Sequence, residues 1–291
     1  MSHPTRDIRI RDPFIVPVVA EQRYYMFGTT CANCWAGAQD GFDVYVSRDL
    51  ELWEGPTPVF RPPPQFWADQ NFWAPEVHHV DGRWFMFASF KAEGVCRATQ
   101  ILAADRIEGP YLPHGEGPVT PRDWECLDGT LFVDEQGEPW MVFCHEWVQV
   151  HDGGMCAVRL SRDLLRAVDA SVLLFRASAA PWSKPFGAAG NDRVTDGPFL
   201  HRTASGALLM LWSTGGYEGY AIGCARSTSG TILGPWTQDA KPLYGKDGGH
   251  GMLFRTFAGQ MMLSIHQPND SPRERPLFLP VREDGDTLVV G

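Results

Sequence analysis

The sequence has little positive charge and no long apolar run. Its 25 lysines and arginines are outnumbered by 35 aspartates and glutamates, which gives a formal net charge of −10. An acidic chain lacks the basic surface with which proteins bind nucleic acid, so no nucleic-acid partner is expected. No stretch of about 18 apolar residues occurs, so no membrane partner is expected either. The first residues contain no apolar run of the kind found in signal peptides, and we therefore expect a cytoplasmic protein.

Two further absences concern cofactors and disulfides. No Gly-x-Gly-x-x-Gly motif follows a strand-like run and opens a helix, so no nucleotide or other organic cofactor is expected. The seven cysteines are scattered and odd in number, unlike the disulfide framework of a small secreted protein. Cys31 and Cys34 have the spacing of a zinc or redox motif, but no second such pair or nearby histidine pair completes it. We therefore expect ordinary buried or loop thiols.

Turn-forming and aromatic residues are abundant. The 291 residues include 30 glycines, 23 prolines, 17 phenylalanines, 11 tryptophans and 7 tyrosines. This combination predicts many short strands joined by turns and argues against a helical bundle. With 44% hydrophobic and 21% charged residues the chain can bury a substantial core, which excludes disorder as a general description.

One strand-like pattern occurs five times. Each copy is a nearly continuous aromatic or aliphatic run that follows a turn and ends in small or polar residues, as in strands buried on both faces. The copies are Gln22–Thr29, Gly82–Ser89, Glu138–His145, Ala207–Ser213 and Gly259–His266. Their centres lie 52 to 69 residues apart, which leaves room for about four strands each. The repeat predicts an all-β fold, a five-bladed β-propeller with four antiparallel strands per blade, in a single domain over residues 1–291. The alternative is a β-sandwich with accidental self-similarity.

A polar residue opens a short strand shortly before the centre of each repeat. These residues are Asp12, Glu76, Asp128, Asp196 and His250. Because the innermost strands of a propeller line its central channel, we expect the four carboxylates and the histidine to converge at one end of the axis. Several carboxylates around a funnel suit glycoside hydrolysis, in which one protonates the leaving oxygen and another activates water or attacks the sugar. Aromatic side chains in nearby loops offer flat faces to sugar rings, and the candidates are Trp35, Trp67, Phe72 and Trp73.

Four of these segments carry a family resemblance. Arg11–Phe14 (RDPF), Trp73–Val77 (WAPEV), Leu127–Asp134 (LDGTLFVD) and Thr195–Phe199 (TDGPF) resemble, in order, the successive motifs of glycoside hydrolase family 43. The resemblance spans almost the whole chain. It implies a five-bladed propeller and an inverting hydrolase that acts on arabinofuranosyl, xylosyl or related plant-polysaccharide linkages. The expected partner is a carbohydrate substrate, and a monomer or weak homo-oligomer is expected.

The resemblance also implies roles for individual residues. Asp12 matches the general base that activates water, and Asp128 matches the residue that orients the acid and tunes its pKa. Asp196 stands where the family has its general acid. His250 matches a channel histidine that in many members lies beside a bound cation, often calcium, although a lone histidine is otherwise a satisfied core residue. The residues expected to bind substrate are Trp35, Trp73, Glu76, Glu146 and His250.

One departure from the family pattern concerns the acid. Family members usually have glutamate before the Gly-Pro of this motif, whereas this chain has Asp196. One methylene fewer retracts the carboxyl by about 1.5 Å, and misplacement on that scale can cost about a hundredfold in rate. Three possibilities stay open: Asp196 serves from a shifted backbone, Glu146 supplies the proton, or the site only binds carbohydrate. A protein-interaction propeller is disfavoured, because the acids are expected inside the funnel rather than beside a broad apolar patch.

Overall fold

A computed structural model describes residues 2–31 and 33–291, and it contains five antiparallel sheets that form a ring. The first sheet comprises β1 (Ser2–Pro4), β2 (Arg11–Val18), β3 (Arg23–Thr29), β4 (Phe42–Ser47) and β5 (Leu52–Phe60), and the second comprises β6 (Gln70–Val80), β7 (Arg83–Ala92), β8 (Val95–Ala104) and β9 (Leu112–Pro113). The third comprises β10 (Cys126–Val133), β11 (Pro139–His145), β12 (Gly154–Arg159) and β13 (Val172–Arg176), and the fourth comprises β14 (Asp196–Arg202), β15 (Leu208–Gly216), β16 (Gly219–Ser227) and β17 (Trp236–Gln238). The fifth comprises β18 (Gly249–Arg255), β19 (Met261–Gln267), β20 (Arg275–Asp284) and β21 (Thr287–Val290). The predicted all-β, five-bladed propeller is confirmed.

Helical structure is limited to short segments between strands. Within the described residues, one α-helix, α1, covers Trp147–Val150, and three 3-10 turns cover Thr5–Asp7, Val19–Glu21 and Ala177–Ala179. None of the helices in this part of the chain is long and apolar enough to cross a membrane. Turns and loops make the other connections, in keeping with the many glycines and prolines.

In each blade the chain runs outward from the axis of the ring. The first strands of the blades, β2, β6, β10, β14 and β18, contact one another in sequence around the axis and are the innermost. The second strands, β3, β7, β11, β15 and β19, coincide with the five repeats of the sequence. Their apolar runs are buried because each of these strands has a sheet neighbour on both sides and another blade on each face.

The first blade has one strand more than the predicted four. Residues Ser2–Pro4 form β1, which pairs antiparallel with the outer strand β5 through Ser2–Glu54, His3–Trp53 and Pro4–Leu52. The added strand covers backbone groups at the edge of the nine-residue β5, which would otherwise be open to solvent or to another chain.

The ring closes where the last blade packs against the first. The Arg11 guanidinium on β2 donates to Glu274 Oε1 and to Asn269 Oδ1, each at 2.8 Å. Glu274 is completely buried, and the backbone N–H of Asp12 donates to His266 on β19. Contacts between residues some 260 positions apart therefore hold the start of β2 at the axis.

Aromatic side chains fill the space between the first two blades. Phe42, Phe60, Phe72 and Phe90 are at most 1% exposed, and their ring centroids lie 4.9–6.2 Å apart in tilted or edge-to-face pairs. Phe72 therefore belongs to the core and not to a sugar-binding surface. Trp67 packs against the same cluster, 6.2 Å from the ring of Phe90.

Candidate active site

A β-bulge lies at the same point of every innermost strand. In each blade two consecutive residues of the inner strand oppose one residue of its neighbour, and the first of the two has a positive φ of 47° to 56°. These first residues are Asp12, Ala74, Asp128, Gly197 and His250, and each is followed by proline or glycine. Bulges bend a strand and redirect side chains, and here they place three polar side chains at one end of the axis.

Side chains from neighbouring blades accept hydrogen bonds from the backbone N–H groups of these bulge residues. Four of the acceptors are the polar residues that end the repeat strands, at 2.8–3.2 Å: His266 for Asp12, Thr29 for Ala74, Ser89 for Asp128 and Ser213 for His250. The fifth N–H, that of Gly197, donates instead to Asp128 Oδ2 at 3.0 Å. The repeat strands thus fix the backbone of the site across four of the blade interfaces, and Asp128 does so across the fifth.

The polar residues do not all occupy the same position relative to the bulge, although a common position (a common phase) was expected. Asp12, Asp128 and His250 share one position, whereas Asp196 comes one residue before its bulge and pairs with Ser213. The expectation of a common phase is wrong for Glu76, which lies two residues beyond the bulge residue Ala74.

The side chains at the bulges surround a cavity of about 500 Å³. It is lined by Arg11, Asp12, Cys34, Trp35, Asn71, Trp73, Arg97, Leu127, Asp128, Glu146, Trp147, Val194, Asp196, Gly215, Tyr220, His250 and Asn269. Of the site residues predicted from the sequence, Glu76 does not line this cavity, and neither do the aromatic candidates Trp67 and Phe72; the others do. The buried carboxyl of Glu76 is instead 3.3 Å from His78 on the same strand.

Asp12 is held as an ionised carboxylate. Thr29 Oγ1 donates to its Oδ2 at 2.8 Å, and His250 Nδ1 lies 3.1 Å from its Oδ1. Burial raises the pKa of Asp12, but the neighbouring His250 and Arg11 outweigh burial and the net pKa is lowered. A buried carboxylate that stays ionised can accept a proton.

Asp128 is buried beside the backbone of Asp196. Its Oδ2 accepts the N–H of Gly197, the residue that follows Asp196, at 3.0 Å. Burial, and then the charge of Asp12, raises the pKa of Asp128 well above its usual range. Asp128 therefore fixes the backbone of the segment that carries Asp196. Because the two carboxyls are buried in one cavity, ionisation of either one disfavours ionisation of the other.

Asp196 has the pKa expected of a proton donor. Burial and the charge of Asp128 raise its pKa to about 7, so the carboxyl is partly protonated near neutral pH. Tyr220 Oη donates to its Oδ2 at 2.8 Å. Asp12 and Asp196 thus line the same cavity with their pKa values shifted in opposite directions.

His266 is neutral although it lies close to Asp12. Burial lowers the pKa of His266 to about 3. Its Nδ1 accepts the N–H of Asp12 at 3.2 Å, and its Nε2 lies 3.1 Å from Asn269 Oδ1. Because Nδ1 must carry a lone pair, the proton is on Nε2 and donates to Asn269. The 3.4 Å approach of His266 Nδ1 to Asp12 Oδ1 is therefore not an ion pair.

One wall of the cavity joins Glu146 to Trp73 through Arg97. The Arg97 guanidinium forms an ion pair with Glu146, stacks 4.2 Å from the ring centroid of Trp73 and donates to Asn71 Oδ1 at 3.2 Å. Burial raises the pKa of Glu146, while the charge of Arg97 opposes that rise. With Arg97 on its carboxylate, Glu146 is a weaker candidate for the acid than Asp196.

The adjoining wall repeats the arginine–tryptophan arrangement. The guanidinium of Arg11 lies 4.9 Å from the ring centroid of Trp35, and Trp35 meets Trp73 edge-to-face at 5.4 Å. Trp35 is 56% exposed and forms part of the mouth. Flat aromatic faces beside fixed polar groups are suited to sugar rings.

Cys31 and Cys34 are both free thiols, with Cys31 partly exposed and Cys34 buried. Cys34 lines the cavity, and its carbonyl oxygen accepts hydrogen bonds from Trp73 Nε1 at 2.6 Å and from Asn71 Nδ2 at 3.2 Å. The backbone of this loop therefore orients the side chain of Trp73.

Comparison with known proteins identifies the family. A family model described as "Glycosyl hydrolases family 43" matches residues 1–283. The chain belongs to this family of glycosidases. An endo-arabinase from Bacteroides thetaiotaomicron VPI-5482 is 39% identical, with 97% of each chain covered and a TM-score of 0.89.

Curated relatives of the family 43 chain match over shorter segments. An extracellular exo-α-(1→5)-L-arabinofuranosidase from Cellvibrio japonicus is 26% identical over 146 residues, 44% of this chain and 40% of that protein. An extracellular endo-α-(1→5)-L-arabinanase from Bacillus subtilis is 25% identical over 134 residues, 43% of this chain and 40% of that protein. These alignments span about two-fifths of the length of either relative.

The family resemblance implies a cation beside His250. His250 Nδ1 faces Asp12 at 3.1 Å and Asp128 at 3.7 Å, and the imidazole packs against Gly197, where a Cβ would come within 2.7 Å of the ring. Within residues 2–31 and 33–291, no three His, Cys, Asp or Glu side chains are grouped to hold a metal ion. The residues present do not fit a cation with several protein ligands, so no chemical step is assigned to one, and the cation stays a prediction.

Several residues of this family 43 site were not singled out by sequence reasoning. Tyr220, Arg97 and Asn269 line the cavity but lie outside the repeats and motifs. Arg11 could have been found, because it directly precedes Asp12 within the first motif. The proline or glycine after each bulge residue is the signal that could have corrected the phase of Glu76.

Proposed function

We propose that the protein is an inverting glycosidase that acts on arabinofuranosyl or xylosyl linkages of plant polysaccharides. The observation that carries this proposal is the opposite shift of two pKa values in one cavity, lowered for Asp12 and raised to about 7 for Asp196. Hydrolysis of a glycosidic bond with inversion needs one ionised carboxylate and one protonated carboxyl at neutral pH.

In the proposed reaction the cavity walls hold the sugar over the carboxylates. Asp12 takes a proton from a water molecule as the water oxygen attacks the anomeric carbon. The bond from that carbon to the leaving oxygen breaks, and Asp196 gives its proton to the leaving oxygen. Asp128 keeps Asp196 in place through Gly197 and disfavours its ionisation.

His250 contacts both ends of the proposed acid–base pair. Its Nδ1 lies 3.1 Å from Asp12 Oδ1, and its ring packs against Gly197, the residue after Asp196. Inverting enzymes keep their two carboxyl groups roughly 6.5–9.5 Å apart to leave room for the attacking water, and inversion is proposed here on the family resemblance.

The cavity walls support a pentose-containing substrate. Trp35 and Trp73 offer faces to sugar rings, while Arg97, Glu146 and Asn71 offer fixed donors and acceptors to hydroxyl groups. The relatives named as arabinofuranosidase and arabinanases make α-L-arabinofuranosides the first substrates to test.

The test is a panel of nitrophenyl furanosides and pyranosides together with debranched arabinan, with the anomeric products followed by NMR. We expect an α-arabinofuranoside to release the β-anomer first. Retention of configuration would refute inversion. On debranched arabinan, Asp12→Asn and Asp196→Asn should each lower kcat by about 10²–10⁴-fold, the usual contribution of a general base or acid. Unchanged turnover in both variants would refute the assignment.

A non-catalytic carbohydrate-binding propeller is the second candidate, favoured by aspartate rather than glutamate at position 196. It predicts oligosaccharide binding by calorimetry without product after long incubation. In that case Asp12→Asn would change affinity alone.

A further inference from the structure

We propose that Tyr220 is the positioning residue of the acid, and that Tyr220 and Asp196 form a matched pair in which only an aspartate fits beneath the phenol. The inference rests on the proposed function, because it takes Asp196 as the acid. The contact that carries it is the hydrogen bond from Tyr220 Oη to Asp196 Oδ2 at 2.8 Å, inside the cavity.

The ring of Tyr220 is held by contacts with the fifth blade. It stacks on the imidazole of His266 at 5.6 Å with an interplanar angle of 17°. On Gly249 a Cβ would lie 2.7–2.8 Å from two ring atoms, so the backbone there is in close contact with the ring. Tyr220 is only 6% exposed, so close packing restricts the movement of its phenol oxygen.

The backbone of Tyr220 is fixed as well. Its N–H donates to Asp247 Oδ1 at 3.1 Å, and its carbonyl accepts the N–H of Gly248 at 3.0 Å. The phenol thus approaches Asp196 on β14 from a rigid backbone segment of β16 in the same blade. Rigid supports of this kind keep reacting groups within the narrow range that catalysis requires.

The hydrogen bond gives the two oxygens of Asp196 different tasks. Burial and the charge of Asp196 raise the pKa of Tyr220 well above its usual range, so the phenol keeps its proton and donates. Oδ2 accepts that hydrogen bond, which leaves Oδ1 to carry the proton toward the leaving oxygen. A donated hydrogen bond also stabilises the carboxylate, so it opposes the rise in the pKa of Asp196.

The contact between Tyr220 and His266 also bears on the position of the base. His266, on which Tyr220 stacks, accepts the N–H of Asp12. Acid and base are therefore positioned by two side chains that stack on each other.

The fit leaves no room for a longer acid. Asp196 precedes its bulge and pairs with Ser213, while Asp128 holds the following N–H. An added methylene would advance the carboxyl by about 1.5 Å toward a phenol oxygen that is already at hydrogen-bond distance. We therefore expect glutamate at this position to be worse than aspartate while Tyr220 is present.

The first test is Tyr220→Phe, assayed on arabino-oligosaccharides and on nitrophenyl arabinofuranosides. We expect kcat on the oligosaccharide to fall about 10–100-fold with KM changed less than about threefold. Because nitrophenolate leaves with little protonation, the loss should be smaller on the nitrophenyl substrate. The alkaline limb of the kcat–pH profile should move to higher pH, since Asp196 loses a hydrogen bond to its ionised form. A merely structural role would move neither the leaving-group dependence nor the pH limb.

The second test is a double-mutant cycle with Asp196→Glu. The single variant should lose at least tenfold in kcat, and adding Tyr220→Phe should restore part of that loss, because the phenol oxygen is removed. If Tyr220→Phe does not fold, Asp196→Glu alone decides the question. The matched control is Tyr217→Phe on the same hairpin, whose side chain is 68% exposed and which should behave as wild type.

The outcomes separate this inference from the proposed function. Full activity of Asp196→Glu with Tyr220 intact, or an unchanged pH limb and leaving-group dependence in folded Tyr220→Phe, overturns the pairing alone. Full turnover by Asp196→Asn shows instead that Asp196 is not the acid, and the proposed function fails with it.

Discussion

The raised pKa of Asp196 has a consequence for stability as well as for catalysis. A carboxyl with a pKa of about 7 in the folded protein, against an ordinary value of 3.8, holds its proton more tightly when folded. The folded state is therefore favoured at low pH, and its advantage declines as the pH rises from about 4 through 7. Asp196→Asn removes this titration while leaving an amide oxygen to accept the hydrogen bond of Tyr220.

The size of the effect follows from the pKa difference. At about 1.4 kcal/mol per pKa unit, the shift from 3.8 to about 7 corresponds to roughly 4 kcal/mol above neutral pH. Part of the Asp196 surface is open to the cavity, and solvent there reduces the figure, so we expect about 2–4 kcal/mol. For a chain of this length about 2 °C accompanies each kcal/mol, which gives a Tm gain of about 4–8 °C for Asp196→Asn at pH 8.5 relative to pH 4.

The assay is differential scanning calorimetry of wild type and Asp196→Asn at several pH values between 4 and 8.5. The difference in Tm between the two proteins should grow with pH, since the wild type alone loses stability as Asp196 ionises. Asp105→Asn is the matched control, because the side chain of Asp105 is 91% exposed, and its Tm should follow the wild type at every pH. A Tm difference that stays constant across this range would refute the reasoning. Wild-type kcat should fall as the pH rises through about 7, when Asp196 loses its proton.

Three further substitutions test other parts of the site. Glu146→Gln should raise KM and leave kcat within about tenfold of wild type in steady-state assays, since the carboxylate of Glu146 is already paired with Arg97. A loss of kcat confined to this variant would make Glu146 the acid. Ser89→Ala should lower the unfolding free energy in urea by about 1–3 kcal/mol, because the buried N–H of Asp128 loses its acceptor; an unchanged urea midpoint would contradict the ring of bulge contacts. Glu274→Gln should cost about 3–5 kcal/mol in the same measurement, because it leaves a buried arginine without its countercharge; a loss below 1 kcal/mol would mean that this pair does not hold the ring closed.

The blades could be predicted because each leaves a local pattern. The run Gln22–Thr29 predicted β3 (Arg23–Thr29), and Gly259–His266 predicted β19 (Met261–Gln267), since strands buried on both faces are nearly continuously apolar. The additional strand Ser2–Pro4 could not be predicted. It has no such pattern, and it forms because the edge of β5, some 50 residues away, has free backbone groups.

The site could be predicted in part. Asp12, Asp128 and His250 were found from their spacing because all three occupy the bulge position. Glu76 and Asp196 were assigned to the same phase because each is a polar residue near the start of its strand, although Glu76 lies 9 residues before its repeat centre and the other four lie 12 to 14 before theirs. The phase depends on which residue takes the positive φ, and in these blades Ala74 and Gly197 take it.

The sequence by itself determined the fold and the residue types at the axis. Strand periodicity, turn residues and the order of the motifs are local properties of the chain, so they can be recognised without knowing which residues are in contact. Only the tertiary structure decided what each carboxyl does. Asp12 is ionised and Asp196 partly protonated because of burial and of partners such as His250, Asp128 and Tyr220 on other strands, many of them far away in the chain. A pKa is set by distance in space, and the sequence does not contain those distances.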